Sequence, residues 1–177
     1  MEDKNVFPSF MVSPINSLDE AEKKGSFVEN IYERDNNDRR HDEIKLKTAN
    51  GEKKIYVVSF GDFNVSGASE VAKFLSLYNL KFCENALNYL LGLTAKVSWH
   101  EFSNLGLEGK FIVAMEPDYP DSVITDLDTT FRNKHPVAVV IPNYTGYCFN
   151  REKNALTLAS GPRGFYYGKY CVLAEEC

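Results

Sequence analysis

The feature that most limits how this chain can fold is the length of its two most apolar stretches, residues 55–60 and 136–142. Each is about as long as one β-strand. Each is also far shorter than the roughly 20 residues that a helix needs to cross a bilayer. We therefore expect strands of a folded domain at both places, and no membrane partner.

An N-terminal hairpin is expected around Asn50-Gly51. Apolar residues alternate with lysines over residues 43–48, before this dipeptide, and a strand pattern follows it over residues 54–60. Asn-Gly between two such runs favours a tight turn, because both residues tolerate the positive φ that a type I′ turn requires. The pattern predicts that the two segments pair as antiparallel strands.

Two short helices are expected after the hairpin. Ser66 is a suitable N-cap for the first. Its apolar face consists of Val71, Phe74, Leu75 and Tyr78. The second covers residues 82–91, where apolar residues recur at spacings of three and four, and Gly92 is a suitable stop.

Strand patterns separated by turn residues dominate the rest of the chain. Strands are predicted at 95–102, 110–115, 137–141, 147–149, 155–158 and 165–173, and a helix at 122–131 within an acidic loop. A hairpin, two helices and then a run of strands indicate an α+β domain with a mainly antiparallel sheet, not alternating βαβ units.

The first 42 residues differ in composition from the rest. They mix charges and asparagines, most densely over residues 33–40, and contain only scattered apolar residues. We interpret residues 1–42 as a charged N-terminal arm, either mobile or docked through its aromatic residues on the core or on a partner. Residues 43–177 are then a single globular domain.

The net charge and the cysteine content limit which partners and which cellular location are expected. A net charge of -5 and a pI of about 5.3 argue against a nucleic-acid partner, because nucleic-acid binders usually present a concentrated basic patch. The N-terminus lacks the pattern of a secretory signal. A cytoplasmic protein is therefore expected. Its cysteines are expected to carry reduced thiols: Cys83, Cys148, Cys171 and Cys177.

Three polar residues follow one another in an order that suits thiol catalysis. Cys83 stands where the second helix is expected to begin, so the unpaired amides and the helix dipole would favour its thiolate. His135 stands at the entrance of one predicted strand and Asn150 at the far end of the next. If these strands pair as a hairpin, their outer ends meet and Asn150 can orient the imidazole.

These residues would catalyse acyl transfer on a peptide or amide. Cys83 would be the nucleophile, His135 the base and Asn150 the orienting residue. Asn79 is a candidate donor to the oxyanion, together with the main-chain amide of Cys83. Asn154 is an alternative to Asn150.

Residues 79–154 resemble the papain-like and transglutaminase-like thiol enzymes. The resemblance lies in Cys83 opening a helix, in His135 leading an apolar strand, and in Asn150 after the strand that follows. It implies a cysteine protease or a related acyltransferase. Glu84 departs from the pattern, because an aromatic residue often follows the nucleophile in these enzymes.

The alternative is a non-catalytic protein-interaction module, such as an inhibitor, an immunity protein or a host-binding protein of viral origin. It would bind a protein or peptide through an acidic surface and the arm. The composition and the lack of a specific motif favour it. No Cys-x-x-Cys or His-x-x-x-His pair is present, so no metal and no other cofactor is expected.

Overall fold

The computed structural model describes residues 1–24, 27–29, 47–60, 68–97, 101, 104–106, 111–114, 138–141, 155–158 and 170–177. Within them the strands are β1 (Ser9–Val12), β2 (Phe27–Glu29), β3 (Lys53–Ser59), β4 (Leu80–Phe82), β5 (Phe111–Ala114), β6 (Ala138–Ile141), β7 (Ala155–Leu158) and β8 (Tyr170–Glu176). The helices are α1 (Leu18–Lys23), α2 (Ala68–Leu77) and α3 (Ala86–Lys96). The fold is α+β, as the sequence predicts.

The strands form one mixed sheet, in the order β1-β3-β8-β5-β6-β7-β2, with β4 also paired to β8. Most pairings are antiparallel, and β5 with β8 and β2 with β7 are parallel. β8 is an interior strand and pairs with β3, β4 and β5. Its Ala174 lies between Tyr56 of β3 and Phe82 of β4.

The central strands are buried on both faces. Residues 55–58 of β3 are each 0% exposed. Ile55 and Val57 belong to one core cluster with Leu90 of α3. Tyr56 and Val58 point to the other face by strand alternation. There Phe60, just beyond β3, packs edge-on against Phe74 of α2, and this two-sided burial explains the continuous apolar run.

The partners of β3 differ from the predicted ones. β3 pairs with β1 on one side and with β8 on the other, and residues 47–50 have no regular secondary structure. Gly51 keeps the positive φ, 89°, that its turn signal indicates. Asn-Gly sets only a local reversal, whereas β1 and β8 bring buried side chains to both edges of β3.

The first predicted helix is confirmed as α2. Val71 and Leu75 are buried, and Phe74 and Tyr78 are half-buried, so the predicted face is the packed one. The described part of the helix begins at Ala68. Ser66, its predicted cap, lies outside the described residues.

The second helix is displaced from its predicted position. Phe82 ends β4, and α3 runs from Ala86 to Lys96, straight through Gly92. A Cβ on Gly92 would lie 2.0 Å from the main-chain oxygen of Ser13. This glycine therefore permits close packing of α3 on the segment after β1 and does not stop the helix. The strand predicted at 95–102 is wrong at residues 95–96 and at Glu101, which are helical.

The later strands agree with the sequence patterns. β5, β6 and β7 lie within predicted strands, and β8 overlaps the strand predicted at 165–173 but continues to Glu176. The predicted strand at 147–149 and the predicted helix at 122–131 lie outside the described residues. Among the described residues, no helix has the length and apolarity needed to cross a membrane.

The start of the predicted arm is docked on the sheet. Ser9–Val12 forms β1, and Val12 and Ile15 are buried in the core cluster. Phe7 packs against Tyr78 with ring centroids 4.8 Å apart. Residues 30–46 lie outside the described residues, so a boundary near residue 43 stays a prediction.

Candidate functional site

Cys83 lies in the short connection between β4 and α3. Its main-chain N–H donates to the Leu173 oxygen of β8 at 3.2 Å. α3 begins three residues later, after Asn85 in the left-handed conformation. Cys83 therefore precedes the helix and is not part of its first turn, so it gains less from the helix dipole than its predicted position implies.

The thiol of Cys83 is turned into the protein. The residue is 0% exposed and belongs to the core cluster, together with Ala86 of α3 and Cys171 of β8. Its Sγ lies 3.5 Å from the main-chain oxygen of Glu84. A nucleophile must reach its substrate, so in this conformation the sulfur is not available for attack.

Charged and aromatic side chains surround this connection, and we call them the Lys53 cluster. Its members are Lys53, Lys81, Glu84, Tyr89 and Glu175. The Lys53 ammonium pairs with the Glu175 carboxylate, donates to the Glu84 main-chain oxygen at 3.2 Å and lies 4.2 Å from the centre of the Tyr89 ring. The Glu84 N–H donates to the same carboxylate at 3.2 Å. The cluster thus ties β3, β8 and the entry of α3 together.

Electrostatics within the cluster favours the charged forms of Glu84, Lys53 and Lys81, because the pKa of the carboxyl is lowered and the pKa values of the two ammonium groups are raised. Burial disfavours the Lys53 ammonium, but the hydrogen bond to Glu175, with attraction from Cys83 and Glu175, outweighs burial and raises the pKa of Lys53. A hydrogen bond from Lys81 lowers the pKa of Glu84. Burial raises the pKa of Tyr89. Tyr89 therefore keeps its hydroxyl proton at neutral and mildly alkaline pH.

Sequence reasoning did not find this cluster. Lys53 and Glu175 are 122 residues apart and meet only because β3 pairs with β8. Neither residue belongs to a motif. Lys53 and Glu175 could have been found only by predicting that β3 and β8 pair as antiparallel strands. Local sequence patterns do not specify which strands pair.

Of the other predicted catalytic residues, the structure describes only Asn79. His135, Asn150 and Asn154 lie outside the described residues. Asn79 lies at the opposite end of β4, roughly 13 Å along an extended chain. Its main-chain oxygen accepts from the N–H of Cys177 at 3.3 Å.

A second candidate site is the outer edge of β1, which no described strand covers. The Val57 N–H donates to the Pro8 oxygen at 2.9 Å. Bonded and non-bonded pairs alternate along an antiparallel ladder, so the main-chain groups of Ser9 and Met11 point away from β3. The Met11 oxygen accepts from the Lys96 ammonium.

An open depression of about 340 Å³ lies beside this edge. It is formed by β1, the segment that follows β1, and α3. Its lining residues are Met11, Ser13, Ile15, Lys24, Glu52, Gly92, Ala95 and Lys96. The lining therefore combines apolar residues with charged groups of both signs.

No metal centre is formed by the part of the chain that the structure describes: no group of three or more His, Cys, Asp or Glu is placed to hold an ion there. Cys83, Cys171 and Cys177 carry reduced thiols. Comparison of the chain with protein-family models, with curated proteins and with solved structures found no match.

Proposed function

We propose that the chain is a non-catalytic protein-binding module that takes up an extended segment of a partner protein along the outer edge of β1. The observation that carries the proposal is the combination of this edge with the depression beside it. An added strand gains affinity from main-chain hydrogen bonds and specificity from pockets for alternate side chains. The edge of β1 offers outward-pointing main-chain groups, and the depression offers a pocket for a side chain.

The exposed side chains of the edge suit such a partner. Met11 is 45% exposed although it lies in the middle of a sheet strand. Exposed apolar groups beside unpaired strand edges are the features that natural sheets usually avoid. Lys96 would release the Met11 oxygen when a segment binds, and its ammonium would then be available to an acidic side chain of the partner.

The burial of Cys83 supports a binding function over a catalytic one. A thiol that is 0% exposed in the core resembles a small packing residue more than a nucleophile. We also propose that the protein is cytoplasmic, with its cysteines as free thiols, as the sequence leads us to expect.

A displayed library of random peptides, selected against the full chain, tests the proposal. Enriched peptides should bind the Met11→Pro variant at least about tenfold more weakly than the Met11→Ala variant, which reports the loss of the Met11 side chain alone. Proline at position 11 removes only an N–H that points outward, so the ladder with β3 keeps its bonds. Met11→Ala is the matched control, because it shortens the side chain and keeps the N–H.

The unfolding midpoint of Met11→Pro is measured alongside, to exclude loss of the fold as the cause. Lys96→Met should bind those enriched peptides that carry no acidic residue more tightly, because it keeps the apolar stem and removes the competing ammonium. The proposal fails if no peptide is enriched, or if the enriched peptides bind Met11→Pro as well as they bind wild type.

A thiol hydrolase remains the second candidate, and the sheet register favours it. The main-chain N–H of Cys83 donates to the Leu173 oxygen. Continuing the parallel register of β5 and β8 by one residue places Ala114 opposite Leu173. Ala114 pairs with Ala138, the first residue of β6. His135 precedes Ala138 by three residues, which span at most about 11 Å. The position of Cys83 along the strands of the sheet is therefore compatible with the predicted pairing of its thiol with the imidazole of His135.

Labelling of the native protein with an electrophilic thiol probe separates the two functions. A binding module should label at the exposed Cys177, with Cys83 modified only after unfolding, since its sulfur is covered. Cys177→Ser is the control that leaves only the other cysteines. Faster labelling of native Cys83 than of Cys177, lost in His135→Ala, would favour the hydrolase and count against the binding module.

A further inference from the structure

Asn50-Gly51 is the only Asn-Gly pair in the sequence, and both residues are exposed. Gly51 has a φ of 89°, and a Cβ built on it would meet nothing within 4 Å. Atoms beyond its two chain neighbours therefore do not crowd the α-carbon of Gly51 on the side where a side chain would stand. An asparagine side chain is attacked most readily by the nitrogen of a following glycine, because glycine adds no side chain to hinder the approach.

We propose that Asn50 is a site of spontaneous deamidation, through a cyclic imide formed with Gly51. The Gly51 amide gives its proton to hydroxide, and its nitrogen bonds to Cγ of Asn50. The Cγ–N bond of the side chain breaks and ammonia leaves with a proton from water. Water then opens the five-membered imide at either carbonyl, which leaves aspartate or isoaspartate at position 50. No oxidant, metal or enzyme is needed.

Tyr89 assists the first step. Its hydroxyl lies 2.8 Å from the Gly51 oxygen and 3.3 Å from the Asn50 oxygen, so its proton is shared between two carbonyls. The Asn50 carbonyl and the Gly51 N–H belong to the same peptide unit. A donor at that oxygen stabilises the peptide anion formed when the N–H is lost. Since burial raises the pKa of Tyr89, the hydroxyl remains a donor at the mildly alkaline pH that speeds the loss.

Asn16 provides an internal comparison. Its amide is fixed on the main chain of Ala49 by two hydrogen bonds, Nδ2 to the Ala49 oxygen at 3.1 Å and the Ala49 N–H to Oδ1 at 3.0 Å. Asn88 donates to the same Oδ1 at 2.9 Å. These bonds hold the side chain away from the nitrogen of Ser17. Asn16 should therefore stay intact while Asn50 reacts.

The change would alter the end of the sheet at which β3 begins. Ala49, next to the reacting residue, is buried and held by Asn16, and Lys53 starts β3 three residues beyond Asn50. Deamidation adds one negative charge to the net charge of -5, and isoaspartate also adds a main-chain carbon. The segment between Ala49, which Asn16 holds, and Lys53 would therefore lengthen.

Incubation of the intact protein at neutral and at mildly alkaline pH, followed by peptide mapping with mass spectrometry, tests the site. Exchange of the amide group for a hydroxyl should occur first at Asn50, faster at the higher pH, with isoaspartate detected by an isoaspartate-specific methyltransferase. Tyr89→Phe should slow the reaction about three- to tenfold, the effect of one hydrogen bond. Tyr78→Phe is the matched control and should leave the rate unchanged.

Each result decides one part of the inference. An intact Asn50, or modification of Asn16 before Asn50, overturns the site. An unchanged or faster rate in Tyr89→Phe overturns the role of the hydroxyl, because a structural role alone would loosen the turn and speed the reaction. Gly51→Ala gives a further test, since a methyl group beside the attacking nitrogen should slow the reaction in folded and in unfolded protein alike.

Discussion

Gly92 shows how one residue without a side chain positions a whole helix. We expect Gly92→Ala to lower the free energy of unfolding by about 1–2 kcal/mol, the overpacking cost less the gain in helix propensity. The added Cβ would lie 2.0 Å from a main-chain oxygen and 2.9 Å from a Val12 methyl group. Overpacking usually costs about 1–3 kcal/mol. The gain in helix propensity returns only about 1 kcal/mol.

Urea unfolding of both forms measures the effect. Ala72→Gly, on the exposed side of α2, is the control, because it reports helix propensity without a packing term. A Gly92→Ala protein that is as stable as wild type would show that α3 does not approach Ser13 as closely as described.

Asn88 is one of two buried polar residues in the described part of the chain, and it is 2% exposed. Its side-chain nitrogen lies near three acceptors: the Ile15 oxygen at 3.2 Å, the Asn16 Oδ1 at 2.9 Å and the Lys47 oxygen at 2.6 Å. Asn88→Ala should cost about 3 kcal/mol, since it removes these bonds and leaves buried acceptors without a donor.

Denaturant unfolding at constant m-value checks this expectation. Asn104→Ala at an exposed position is the control and should change stability by less than about 0.5 kcal/mol. If Asn88→Ala behaved like the control, the two segments that meet at Asn88 would have to be held by other contacts.

At the level of elements, ion pairs join β8 to its neighbours and make the sheet sensitive to acid. Hydrogen bonds from Tyr56 and then Lys4 lower the pKa of Glu176, and the bond from Lys81 lowers that of Glu84. A carboxyl whose folded pKa is lowered stabilises the fold above its unfolded value, near 4.5, and this contribution is lost as pH falls through the folded pKa. Stability should therefore decrease below about pH 4.5.

The test is the unfolding midpoint as a function of pH. Glu176→Gln should flatten the decrease on the acid side and reduce stability at neutral pH, whereas Glu52→Gln, at an exposed position, should leave the profile unchanged. Salt should weaken the effect, since these pairs are partly exposed. An acid profile that is identical in Glu176→Gln and wild type would contradict the proposed role of these pairs.

β1 is an element that the sequence assigned to an arm, and its removal should damage the fold. Deletion of residues 1–12 takes away the partner of β3 and the buried Val12, so the bonded edge of β3 and its apolar side chains become exposed. We expect a lower unfolding midpoint and a tendency to aggregate.

Thermal unfolding and size-exclusion chromatography measure both effects. Deletion of residues 1–3 is the control, because it leaves β1 and Phe7 in place. Normal stability without residues 1–12 would mean that the N-terminal segment is an appendage after all.

For the whole molecule, local patterns predicted the elements better than their partners. The face of α2 with Val71 and Leu75 followed directly from helical spacing, and β5 to β7 from short apolar runs. The pairing of β3 with β1 and β8 did not, because pairing depends on contacts between distant segments and each run fits several neighbours. Gly92 was interpreted as a stop signal, since sequence does not show what packs against a helix.

The candidate site shows the same difference between what local patterns predict and what long-range contacts decide. Cys83 was recognised as a residue at a helix entrance, but its burial and the approach of Lys53 and Glu175 depend on the sheet register. No strand was predicted at β1, because its residues belong to a segment that was interpreted as a charged arm. Side chains that meet across 122 residues leave no local signal.

Because β8 joins β3 to β5, the sheet cannot form completely until residues 170–176 are available. On the ribosome, β3 is made more than a hundred residues before the strand that must lie beside it. A nascent chain would carry β3 with an open edge throughout that interval. Such a topology predicts slow folding and a dependence on chaperones during synthesis, with strand exchange between neighbouring copies as the characteristic error.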